Sequence, residues 1–276
     1  MDAVEATEGA KVTVRKCKLI ESGGRGLFCS SDCSVESTDN TISGSCSLAC
    51  PGYTDKVRSK WSREQRLWAL RASAILDDRM NHRCDKLIGC KSGSEKKRFE
   101  CAMRKLDGAW GITSREELLD TIVSLNAHGH HEDWVQMRTA LKRLSSAQRS
   151  MAMRAPTVPD ETRARMMLDA RYGERLGQKG IRGFDLVRAL CLARWGHTAG
   201  FINEEETWNV MMPLAQQARK TFASWEEYGT SYLVGRRFWS PEDDEHEDAE
   251  KMYKELLAPG GSWNQEKWNT DLTPKP

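Results

Sequence analysis

From residue 62 onward the apolar residues recur at intervals of three and four, and helix start and stop signals fall between the runs. Ser62 and Gln65 have capping-box spacing, and Leu67, Leu70, Ala74 and Ile75 follow on one face. Thr113 with Glu116 predicts a second start. Leu118, Leu119, Ile122, Val123 and Leu125 form its stripe, and Gly129 its stop. A third helix is expected from His131 to about Met153, with Trp134, Met137, Leu141 and Leu144 inward. Pro156 and Pro159 end it. A fourth follows Asp160 and fades near Gly177. Phe184, Val187, Leu190 and Cys191 mark a fifth. After a turn at Gly200, Asn203 and Glu206 cap a sixth, lined by Trp208, Met211, Ala215, Ala218 and Phe222. Pro213 lies inside this pattern and is expected to kink it. Ser224 and Glu227 open a seventh, with Tyr228 and Tyr232 one turn apart, and an acidic helix spans Glu242 to Leu257.

The first sixty residues are different. They are rich in Ser, Gly, Cys and Thr and carry no helical period. Val12 and Val14 alternate as in a strand, Gly23 to Gly26 make a turn, and Leu27 to Cys29 suggest a returning strand, so a short β-hairpin is expected. The fold class is therefore mainly α, a single multi-helix domain over residues 61–257. An arm of hairpin and loop (1–60) precedes it and an irregular tail (258–276) follows.

Composition changes this picture in three ways. Ten Trp and eleven Met supply bulky core material to a chain that is otherwise 30% charged. A formal net charge of +2 argues against a general nucleic-acid binder, which would show a basic excess. No run approaches 18 apolar residues and no apolar stretch follows the first residues, so neither a membrane span nor a signal peptide is expected. A cytoplasmic address follows, with the nine cysteines, five of them in the first fifty residues, expected as thiols.

The candidate chemistry is sparse. His128, His130 and His131, beside Glu132 and Asp133, are the densest set of possible metal ligands. The plainer reading is a polar turn in which His130 caps the preceding helix. Cys29, Cys33, Cys46 and Cys50 repeat a three-residue gap rather than the two-residue knuckle of zinc ribbons, and free thiols are the simpler reading. Asp185 and Arg188 are charges on an otherwise apolar helix, with Arg171 and Arg194 as candidates to join them. They suit an anion site or an oriented carboxylate; the plainer reading is a structural ion pair. Trp225, Tyr228 and Tyr232 are candidates to wall an adjacent cleft, although tryptophans at helical spacing usually form core. No nucleophile elbow, phosphate loop or dinucleotide fingerprint is present, and no cofactor is expected.

Three blocks carry a resemblance. They are AWGITSREELLDTIVSLNAHGHHEDW (Ala109 to Trp134), FDLVRALCLARWGHTAGFINEEETW (Phe184 to Trp208) and SWEEYGTSYLVGRRFW (Ser224 to Trp239). In order and spacing they resemble the mainly bacterial family catalogued as domain of unknown function 1266, over roughly Arg104 to Trp239. The resemblance implies a helical intracellular domain and no established activity. A shorter stretch, VRKCKLIESGGRGLFCSSD (Val14 to Asp32), resembles the opening hairpin of SET lysine methyltransferases. That family's Asn-His-x-x-x-Pro-Asn segment has no counterpart here.

Two functions remain open at this point. One is a binding module that recognises a protein partner or a small ligand through an aromatic-walled groove. The other is an enzyme of unfamiliar class using Asp185 and Arg188 with nearby Tyr or His groups for acid–base chemistry.

Overall fold

The computed structural model describes residues 60–77, 83–89, 94–242 and 246–274, and the backbone of short strands between residues 4 and 49. The chain divides into two units, Met1–Ser59 and Lys60–Pro276. In the first, β1 (Val4–Ala6), β4 (Leu27–Cys29) and β7 (Leu48–Ala49) pair in parallel. So do β2 (Lys11–Arg15) with β5 (Ser34–Thr38), and β3 (Lys18–Ile20) with β6 (Thr41–Ser43). The turn of the expected hairpin, residues 23–26, lies outside the described residues. The pairs described for Leu27–Cys29 are parallel, which a short turn cannot connect.

The second unit is helical among its described residues. Its helices are α1 (Arg63–Ala72), α2 (Ala74–Asp77), α3 (Glu95–Trp110), α4 (Arg115–Ala127), α5 (Gly129–Lys142), α6 (Ser146–Arg154), α7 (Asp160–Leu176), α8 (Arg182–Thr198), α9 (Glu204–Thr221), α10 (Trp225–Trp239), α11 (His246–Leu257) and α12 (Ser262–Gln265). Side-chain caps explain half of the starts. Ser62 and Gln65 form a reciprocal box, as do Asn203 and Glu206, and the Ser224 hydroxyl accepts the Glu227 N–H. The second start falls one residue later than expected. Ser114 boxes with Glu117, while the Thr113 N–H and hydroxyl also donate to the Glu117 carboxylate. The expected helix from His131 to Met153 is two helices, because Ser145 and Gln148 form a capping box of their own and start α6. α9 runs through Pro213.

α8 is the axis of the unit. Every residue from Gly183 to Gly196 is buried, and the helix packs against α10, α4, α9, α3, α5 and α2. A helix apolar on all sides can only be stable when surrounded. α10 comes close because Gly235 faces Phe184, where a Cβ would sit 2.4 Å from the Phe184 Cβ.

The tail is part of the core. Trp263 and Trp268 join Trp68 and Trp225 in one cluster: Trp225 stacks on Trp263 at 5.2 Å and meets Trp268 edge-on at 4.7 Å. Each indole N–H reaches a backbone carbonyl. Trp68 donates to Trp268, Trp225 to Glu266, Trp263 to Arg71 and Trp268 to Phe222. Buried aromatic area and satisfied donors act together here, and truncating such a Trp to Ala typically costs roughly 3–5 kcal/mol.

Candidate functional site

The first turn of α8 braces the corner between α4 and α5 from both sides. The Arg182 guanidinium donates to the backbone carbonyl of Asn126, near the C-terminal end of α4, and to its side-chain oxygen. The Asp185 carboxylate accepts the backbone N–H groups of His130 (3.1 Å) and His131 (2.9 Å) at the N-terminus of α5. A cation thus meets a helix end rich in carbonyls, and an anion meets one rich in N–H groups, as the peptide dipoles favour. Gly129 makes the approach possible. It has a positive φ of 43°, and a Cβ there would lie 2.5 Å from the Asp185 carboxyl carbon.

Arg188 completes this arrangement one turn along α8. Its Nη2 donates to Asp185 at 2.5 Å and its Nε to the Phe184 carbonyl at 3.4 Å. The guanidinium lies 3.9 Å from the Phe184 ring centre and 5.5 Å from that of Trp110. Phe184 in turn touches the rings of His130, Tyr232 and Trp239 at 6.0, 5.6 and 6.1 Å. Arg188 keeps 10% of its side chain exposed, and its Nη1 hydrogen-bonds to no described residue. Asp185 is the reverse case. Its side chain is 0% exposed, and both oxygens accept hydrogen bonds from the protein.

The electrostatics follow the burial. Desolvation lowers the His130 pKa and Arg188 adds to the effect, with Asp185 and Asp133 opposing it. Desolvation also lowers that of His131, with Arg182 adding and Asp185 opposing. Both imidazoles are therefore held towards the neutral form. Arg188 itself is shifted down by burial and partly restored by Asp185.

The structure brings together some of the expected site residues and separates others. Asp185, Arg188 and Tyr232 do cluster, with His130 and His131 beside them. Arg171 is on the exposed face of α7, its guanidinium over Tyr172. Arg194 pairs with Asp77, not with Asp185. Trp225, Tyr228 and Tyr232 are 4%, 0% and 0% exposed and belong to the core, so they wall no open groove. A surface depression of about 250 Å³ opens beside Ser224, but Arg175, Leu176, Ala223, Ser224, Glu226, Glu227 and Thr230 line it. The three histidines diverge. His128 turns to Glu132, His130 lies near Asp133 and Phe184, and His131 lies against the Gly180 turn. No group of three metal-ligating side chains is arranged for a metal ion among the described residues. His130 does not cap α4. It stands in the first turn of α5, where the dipole opposes its protonation.

Trp110 and Trp239 are the aromatic residues that the sequence reading missed. The Phe184/Arg188 spacing of four was visible and places both on one face of α8. Trp110 comes from the last turn of α3, a helix that buries only Ala102 and Leu106.

Fold and site together define a class: a mainly helical domain built around an enclosed central helix, with one partly open arginine where that helix begins. The chain belongs to the family described as "Protein of unknown function (DUF1266)", whose model matches residues 105–268. It is 29% identical over 147 residues to "Uncharacterized protein YbeR" of Escherichia coli (strain K12), a match covering 50% of this chain and 59% of that protein. It is 24% identical over 153 residues to "Uncharacterized protein YbeU" of the same organism, covering 55% and 64%. The chain thus spans about three fifths of the length of these curated relatives. No solved structure matches it. The family match extends past Trp239 to Trp268, so it includes both tail tryptophans of the core cluster.

Proposed function

We propose that this chain is a binding module, and that the exposed edge of Arg188 at the start of α8 is its recognition point for a protein partner or small ligand. One observation carries the reading. Arg188 is almost wholly buried, yet its Nη1 is left without a hydrogen bond to any described residue. A buried guanidinium normally has its donors satisfied, so an open one is a natural point for an acceptor from outside. The enzyme reading draws less support. General acid–base work needs a carboxylate within reach of substrate, and Asp185 is enclosed with both oxygens engaged.

The same reading places the protein in the cytoplasm without nucleic acid or membrane as partner. It draws on the near-neutral charge and on the buried thiol of Cys191. No helix among the described residues is long and apolar enough to cross a membrane. The test is a comparative capture. Wild type and Arg188→Met, matched for helicity by circular dichroism, are incubated with cell extract, and bound proteins and metabolites are identified by mass spectrometry. The expected result is at least one binder retained by wild type and lost by Arg188→Met. Identical binders on both proteins would refute the reading.

A further inference from the structure

The surroundings of Arg188 narrow the chemistry of what it binds. Asp185 is already well served: two backbone N–H groups at the start of α5 and one N–H of Arg188 point at it. Arg182 stands nearby with its own positive charge, which acts on Asp185 and His131. One enclosed carboxylate therefore faces two guanidinium groups, and the excess charge at this corner is positive. The acid on the rim is Asp133, 65% exposed and 3.6 Å from the His130 ring, where water screens it. A planar guanidinium with a free edge suits an oxyanion, which accepts two parallel N–H groups.

The walls add a second requirement. Phe184 backs the Arg188 guanidinium from within the core, and the partly buried Trp110 ring also approaches it, so a ligand at the open edge meets an aromatic ring as well as charge. Trp239, beside Phe184, is 46% exposed although Trp is among the largest apolar side chains. Trp110 on one side and Trp239 beyond Phe184 on the other match a group that carries a flat apolar ring next to its negative charge.

We infer that the site takes an oxyanion borne on a planar aromatic ring, an aryl carboxylate or aryl phosphate, with the oxyanion on the open edge of Arg188 and the ring against Trp110 and Trp239. This rests on the binding reading above and specifies its ligand class. The test uses the full chain labelled with 15N, followed by the indole N–H signals of Trp110 and Trp239. The probes are benzoate, phenyl phosphate, acetate, inorganic phosphate and benzyl alcohol at constant ionic strength. Benzoate or phenyl phosphate should give saturable shifts at both indoles, with a dissociation constant at least ~10-fold below those of acetate and inorganic phosphate. The shifts should vanish in Arg188→Met. Trp239→Ala, altered at the surface so that the fold is kept, should weaken the aryl probes and leave the simple anions unchanged.

Equal binding of acetate and benzoate would overturn the aromatic half of the inference, and benzyl alcohol binding as well as benzoate would overturn the oxyanion half. If no probe gives a saturable shift, the ligand class is wrong. A partner captured by wild type and lost in Arg188→Met would still leave the binding reading standing.

Discussion

α8 takes part in two acidic–basic pairs, one within itself and one with Asp77 of α2, and they are built differently. At its start, Asp185 is closed and Arg188 is open. Towards its end, Arg194 is closed as well. Its guanidinium donates to Asp77, the Ser73 hydroxyl and the carbonyls of Arg83, Lys86 and Leu87, while Asp77 also accepts the Trp195 indole N–H. Arg194 thereby fastens α2 and the 83–89 segment to the central helix. Both pairs are buried charge in an apolar core, so burial alone does not separate structure from site. What separates them is whether the protein itself uses up the donors. Arg194 has nothing left to offer a ligand, and Arg188 does.

The largest expected effect lies at the closed pair. Asp77→Ala leaves Arg194 charged and buried with its main acceptor gone, and the indole of Trp195 without its partner. Breaking such a pair costs about 3–5 kcal/mol. Urea unfolding of Asp77→Ala should show that loss; a midpoint close to wild type would break the contrast between the two ends of α8.

Gly129→Ala should come next. It adds a Cβ at a positive φ and against the Asp185 carboxylate, a combination worth about 1–3 kcal/mol of strain. The same titration measures it, and an unchanged stability would mean that Asp185 is not held against the α5 N-terminus.

A smaller effect is expected from pH. His130 and His131 titrate below the ordinary histidine value of 6.5 in the folded state, mainly through burial. The unfolded chain therefore takes up protons first as pH falls. Their contribution to stability is full above about 6.5 and is lost as pH drops from there through the folded values. Replacing both with Gln should flatten the pH dependence of the thermal midpoint between pH 7 and 5. A slope as steep as that of wild type would contradict the burial assigned to them.

The contrast also explains what could be read from the chain. Helix starts were legible because a cap is a local event: Ser62 with Gln65 and Asn203 with Glu206 act across three residues. The enclosed character of α8 was legible in part, since Asp185, Arg188 and Arg194 interrupt a run of apolar residues. The Asp185–Arg188 pairing was legible too, being three residues apart, but the distant partners were not. Asp77 is 117 residues from Arg194, and His130 is 55 from Asp185, and nothing in local periodicity links such positions. The packing of the irregular tail was not legible, because Trp263 and Trp268 lie outside any long helix, yet they pack into the centre of the aromatic cluster.

The most direct test sets Arg188→Met beside Arg194→Met and measures the urea unfolding midpoint of each under identical conditions. Arg194→Met removes a guanidinium that satisfies Asp77 and three backbone carbonyls, whereas Arg188→Met leaves Asp185 with the two N–H groups of α5. The account predicts that Arg194→Met is severely destabilised, by about 3–5 kcal/mol, and that Arg188→Met loses about 1–3 kcal/mol and stays folded. Equal losses, or a larger loss at Arg188, would mean that the pair at the start of α8 is structural in the same sense as the other.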